Sequence, residues 1–353
     1  MEVKHIYFYF TDGCLMNLQN TGNYCLSMSI IHDELQDVKN YCESQIPGSK
    51  IIACVPSMVR VDLRRTKYKQ LTVCLQFPEL YPQYPLLVEL KSKTLCEKFL
   101  NGLTKVCEEE CKKILGKPQI FKVLKFLKLF IDENPLSVCS EEVSLIKRRL
   151  EASDQIKLKQ KTSSLSLHIA EGLYFVKVKV TVPDLYPEEQ VQIELIDCNF
   201  PKNFQRWFSG QSAEIARQCI EKPLKPKPKD PVFEPKPSLW PAVQFIIDEV
   251  KRYPKEICQL CKEKCFPLDP AQNVTEEGDE KHIEKVYCGH IFHNACLDIY
   301  MKTPPFHGGK KCPSCGKRIY HDKWKITPKL AEDRWAHQEA KKRELGEVVE
   351  FFE

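Results

Sequence analysis

Phe77 to Leu90 reads FPELYPQYPLLVEL, and Val182 to Leu195 reads VPDLYPEEQVQIEL. The two stretches align without a gap, pairing Pro78 with Pro183, Leu80 with Leu185, Tyr81 with Tyr186, Pro82 with Pro187, Glu89 with Glu194 and Leu90 with Leu195. Tyr81 and Tyr186 lie 105 residues apart, the size of a small domain rather than of a solenoid repeat. Before each motif runs an alternating stretch, QLTVCLQF or LYFVKVKVTV, rich in β-branched and aromatic residues. Alternation of this kind marks a half-buried strand. After each Tyr-Pro the alternation resumes as LLVEL or VQIEL. Proline cannot donate to a ladder, so each motif predicts a turn joining two strands.

Helical patterns bracket these strands. Residues 26–44 and 140–152 are amphipathic and precede the two sheets, with Ser140 as a cap and Glu141 and Glu142 as an acidic first turn. Residues 95–115 and 118–132 follow the first sheet; 204–220 and 238–252 take the same place after the second. Helices segregated from antiparallel strands define an α+β fold, here built twice. The lysines of 118–132 (Lys122, Lys125, Lys128) form one stripe, as in a core helix whose lysines snorkel outward.

The chain has 353 residues, enough for two or three domains, with 29% charged and 42% hydrophobic residues. That balance excludes wholesale disorder and fibrous structure. A net charge of +5, from 53 basic and 48 acidic residues, argues against a nucleic-acid partner. The apolar stretch Ile6 to Phe10, expected as a strand within an N-terminal extension 1–25, is too short for a secretory core. No run reaches the roughly 18 apolar residues of a membrane helix, so no membrane partner is expected. A cytoplasmic or nuclear setting follows as the expectation, with the cysteines free of disulfides. Of 18 cysteines, eleven are scattered between Cys14 and Cys219 and read as small buried side chains; seven crowd into 258–315.

The order helix, sheet, YPxxxP-like turn, helix resembles the RWD domain, an interaction fold related to ubiquitin-conjugating enzymes. The likeness covers 26–135 and 140–252, with Tyr81, Pro82 and Pro85 in the first motif and Tyr186 and Pro187 in the second. Pro85 falls one place early and Val191 stands at the second copy's family proline. Conjugating enzymes carry a cysteine nucleophile after a His-Pro-Asn element; Cys96 and Cys198 lack that element, so no catalytic residue is assigned. A Pro/Lys-rich stretch, 222–241, reads as a solvated loop inside the second copy.

From residue 258 the spacing changes character. Cys258 and Cys261, Cys288 and His290, His293 and Cys296, and Cys312 and Cys315 form C-x2-C, C-x-H, H-x2-C and C-x2-C pairs. Eight thiolate and imidazole ligands in four tight pairs suit two tetrahedral zinc ions. Cys265, His282 and His307 are left over; Cys265 is open to a substitute ligand role, with a free surface thiol as the expectation.

Residues 256–320 resemble a RING-H2 zinc finger. That resemblance implies cross-bracing: Cys258, Cys261, His293 and Cys296 on one zinc; Cys288, His290, Cys312 and Cys315 on the other. It also implies a contact for a ubiquitin-conjugating enzyme at Leu260, Tyr300 and Pro313. The arginine that many active RINGs carry after the final cysteine is here Gly316. The whole order resembles RWD–RING E3 ubiquitin ligases, similar in architecture to the Fanconi anaemia core-complex ligase subunit, whose zinc ligands differ. The implied activity is transfer of ubiquitin from a charged conjugating enzyme to a lysine of a protein substrate. The alternative is a non-catalytic zinc-binding adaptor. Beyond it, Thr327-Pro328 predicts the start of a helix ending near Gly346.

Overall fold

The computed structural model describes residues 18–223, 233–320, 322–324 and 327–352. The strand expected at Ile6 to Phe10 and the centre of the loop 222–241 lie outside them. The chain forms two compact units that divide after Ser140.

In the first unit, α1 (Leu18–Gln45) leads into β1 (Ser49–Val55), β2 (Met58–Arg64), β3 (Gln70–Gln76) and β4 (Leu87–Lys91), then α2 (Glu97–Lys112) and α3 (Ile120–Glu133). The strands pair in sequence order as an antiparallel meander. Alternation sorts the faces: Val59, Val61 and Leu63 of β2 and Leu71, Val73 and Leu75 of β3 are buried. They join one core with Val123, Leu124, Leu127 and Ile131 of α3. That stripe faces inward while Lys122 and Lys125 are exposed. Gly48 closes the turn from α1 to β1 at φ +80°, where a Cβ would lie 2.3 Å from the Arg64 carbonyl oxygen. Only glycine fits that turn.

The second unit repeats the order: α4 (Ser140–Arg149), β5 (Gln155–Lys159), β6 (Ser164–Glu171), β7 (Tyr174–Thr181), β8 (Gln192–Cys198), α5 (Lys202–Ile220) and α6 (Leu239–Arg252). Its sheet is again a meander in sequence order. Ser140 is not the expected non-helical cap. Its φ and ψ of −57° and −36° continue a 3-10 turn over Pro135–Cys139 straight into α4.

Both Tyr-Pro turns are tied down by the same device, buried around Glu34 and part-buried around Glu142. Glu34 of α1 accepts the Tyr81 hydroxyl, and the amides of Gln119 and Ile120, at the start of α3, donate to its carboxylate at 3.2 and 3.1 Å. Glu142 of α4 accepts the Tyr186 hydroxyl at 2.5 Å and the Trp240 amide, at the start of α6, at 2.9 Å. The strand that follows each turn is anchored alike. The Leu86 amide donates to Gln119 Oε1 at 3.0 Å, and the Val191 amide to Ser238 Oγ at 3.2 Å. A helix N-terminus leaves amides unpaired, and a buried carboxylate satisfies them.

After α6 come β9 (Ile283–Lys285), β10 (Ile291–His293), α7 (Asn294–Lys302) and α8 (Pro328–Phe352). Thr327 Oγ1 accepts the Leu330 amide at 3.3 Å, as a cap should. The helix does not stop at Gly346 but runs on to Phe352. One glycine inside a helix costs only about 1 kcal/mol, less than a stop requires. No helix among the described residues is long and apolar enough to cross a membrane.

Candidate metal centre

Two chain reversals of the same shape present the outer cysteine pairs. In Cys258-Gln259-Leu260-Cys261 the Lys262 amide donates to the Cys258 carbonyl at 2.7 Å; in Cys312-Pro313-Ser314-Cys315 the Gly316 amide donates to the Cys312 carbonyl at 2.8 Å. Lys262 and Gly316 both take a left-handed φ, +67° and +70°. Each knuckle closes into a short antiparallel pair, Ile257 opposite Lys264 and Lys311 opposite Arg318. Between them, Gly289 at φ +89° turns β9 back into β10 and separates Cys288 from His290. His293 ends β10 and is the cap residue of α7, whose first turn carries Cys296.

The fold gathers the eight side chains into two groups. Cys258, Cys261, His293 and Cys296 form one, Cys288, His290, Cys312 and Cys315 the other, with ligand atoms within 4.8 Å of one another in each. The first pair thus meets the third, and the second meets the fourth. A tetrahedral zinc site sets sulfur and nitrogen about 3.6 Å apart. The His293 Nδ1 lies 3.3 Å from Cys261 Sγ and 4.0 Å from Cys296 Sγ, and His290 Nδ1 lies 3.4 Å from Cys288 Sγ. Donor chemistry and spacing both fit such an ion. His293 points its Nε2 at the Lys264 carbonyl, 3.2 Å away. A carbonyl only accepts, so Nε2 carries the proton and Nδ1 is left with its lone pair for a metal.

Cys265 corrects the expectation of a surface thiol. It is 3% exposed, and its Sγ donates to the Ile291 carbonyl at 3.7 Å. His282 is buried and His307 exposed; neither joins a group. Leu260 and Tyr300 are half-buried and Pro313 is exposed. The Tyr300 hydroxyl donates to the Lys311 carbonyl at 2.7 Å, which holds that ring beside the second knuckle. Ile299, 63% exposed, adds apolar surface that spacing did not single out.

The cysteine and histidine segment shares a core with β7 and α5 of the second unit. Phe266 contacts Tyr174, Phe200 and Phe204 with ring centroids 5.0–5.6 Å apart. Asn203 Nδ2 donates to the Ile283 carbonyl at 3.0 Å, and the Tyr174 hydroxyl to Asn273 Oδ1 at 2.9 Å.

Comparison with known families places a match on the first unit: the RWD domain model covers residues 20–131. An RWD domain occupies this part of the chain. RWD domains are protein-interaction modules related to ubiquitin-conjugating enzymes. Glu34, Tyr81, Pro82 and Pro85 all fall within the RWD domain, as does Cys96, which is half-buried at the start of α2. Outside the RWD domain, burial pushes the Cys198 thiol up to about 11, which leaves little thiolate at neutral pH. A search of curated proteins returned no match to the chain.

Proposed function

We propose that the chain is a RING-type E3 ubiquitin-protein ligase, in which residues 140–252 are a second RWD-like domain and 256–320 the RING. The observation that carries this reading is the interleaving of two Cys/His groups, first pair with third and second with fourth. Sequential fingers would pair neighbours instead. The metal in this reading is zinc, held by Cys258, Cys261, His293 and Cys296 and by Cys288, His290, Cys312 and Cys315. Bound zinc would supply folding free energy to a short segment. Four protein ligands per ion leave no position for an activated water, so the role is structural.

Ubiquitin transfer then needs no covalent intermediate on this chain. Leu260, Tyr300 and Pro313 offer the apolar contact for the charged conjugating enzyme, while the RWD domain and its repeat recruit substrate or a partner protein. Exposed Pro313 and half-buried Leu260 and Tyr300 are compatible with that contact. The test is ubiquitin discharge from a panel of charged conjugating enzymes by the full chain. Discharge lost in a folded Leu260→Ala variant supports the ligase; no discharge with any enzyme removes it.

A second reading, a non-catalytic adaptor, is favoured by one observation. Gly316 has no side chain to donate where many active RINGs carry arginine.

A further inference from the structure

A fifth donor stands beside the first cysteine and histidine group. The first knuckle is a small antiparallel hairpin, with the Cys265 amide donating to Glu256 at 3.0 Å and the Cys258 amide to Glu263 at 2.8 Å. Opposite residues of such a pair share a face, and faces alternate along each strand. Cys258 and Cys265 therefore lie on the same face as diagonal neighbours. From the other side, β10 closes over Cys265 through the Ile291 carbonyl, 3.7 Å from its Sγ and two residues before His293. The buried thiol thus sits between the two segments that supply Cys258, Cys261 and His293.

The second knuckle shows what packing alone requires there. Its equivalent position is Ile319, whose amide donates to Lys310 at 2.8 Å and whose side chain is buried. An aliphatic side chain suffices; a thiol adds a ligand.

We propose that Cys265 is a reserve ligand of the first metal site, entering when His293 leaves. The inference rests on the zinc reading above. In the exchange the bond to His293 Nδ1 breaks, a bond to Cys265 Sγ forms, and the thiol proton passes to solvent water. No electron is transferred. A three-thiolate, one-imidazole set becomes a four-thiolate set, which zinc also accepts.

Native mass spectrometry of the full chain tests this. Wild-type protein carrying fewer than two zinc ions would remove the zinc reading itself, and the proposal with it. Given two in the wild type, Cys265→Val, which fills the pocket as Ile319 does, is expected to keep both. His293→Ala is also expected to keep both, and His293→Ala with Cys265→Val only one. With cobalt(II) in place of zinc, sulfur-to-cobalt absorption of His293→Ala should exceed wild type, since seven thiolates replace six. Cys261→Ala repeats the comparison from another ligand: two ions expected, one once Cys265→Val is added. A single ion in folded His293→Ala overturns the proposal; where that variant does not fold, a single ion in Cys261→Ala overturns it. So does a double variant that still holds two, or loss of an ion in Cys265→Val alone.

Discussion

The ring of Phe266 meets that of Phe204 edge-on, with centroids 5.0 Å apart and planes at 67°. Phe266 directly follows Cys265 in the first knuckle, and Phe204 belongs to α5. Phe200 and Tyr253 complete the seam, each in ring contact with Phe266. The Cys/His segment and the second helix–sheet domain therefore share one hydrophobic core.

Phe266→Ala is expected to cost about 3–5 kcal/mol, the usual loss for a buried aromatic truncated to alanine. Chelation should act along the same path. Stripping metal is expected to speed hydrogen exchange in α5 and α6 while leaving α3 of the RWD domain unchanged. Equal acceleration in α3 would show that the seam does not carry the coupling.

Tyr186→Phe removes the donor to Glu142, and Tyr81→Phe the donor to Glu34. A hydrogen bond to a charged group contributes about 1.5–3 kcal/mol, so each variant should lose that much. Denaturant midpoints measured on the full chain, with separate probes in the two units, test the equivalence. A loss confined to one of the two variants would mean that the devices differ in energy despite their like geometry.

Burial raises the carboxyls of both Glu34 and Glu142 above their ordinary value of 4.5. A raised folded-state value means that the folded chain binds the proton more readily than the unfolded chain does. The stabilisation is full below 4.5 and is lost as pH climbs through each folded value. Wild-type stability relative to Glu142→Gln is accordingly expected to fall as pH rises from 4.5 toward neutrality. Groups held low, such as Glu214 beside Arg217 at about 2, act below that window. A flat difference across it would contradict the expectation.

Gly316→Arg asks whether the missing cation limits activity. The left-handed φ of +70° is one that Lys262 already adopts in the sister knuckle, and a Cβ at 316 meets nothing within 4 Å. The strain should be about 1–2 kcal/mol, which a turn tied by zinc in the proposed reading would bear. Two metals and a faster ubiquitin discharge than wild type are expected. Unchanged discharge in a folded variant would favour the adaptor reading.

Much of this was legible in the order of residues alone. Strands β3, β4, β7 and β8 declared themselves by alternation, and the two Tyr-Pro turns by their common spacing. The remaining strands were harder to read. The expected helix 26–44 also fell short of α1, which begins at Leu18. The Glu34 and Glu142 anchors left no pattern either. Each is one carboxylate on an amphipathic helix, unremarkable until folding brings a tyrosine hydroxyl to it. Cys265 was misread for a similar reason, because its burial depends on β10, some 26 residues further on.

Covalent order alone singled out the eight candidate metal ligands, since a tight turn that offers two donors to one ion needs only one or two residues between them. It also set the duplication of the helix–sheet fold, because alternation and helical period are local properties of the chain. Tertiary structure decided the rest: the Cys265 thiol turned inward, Phe266 entered the core beside α5, and two knuckles adopted one geometry with lysine in one and glycine in the other. These depend on contacts between residues far apart in sequence, where side-chain packing and desolvation set the outcome and no local pattern records it.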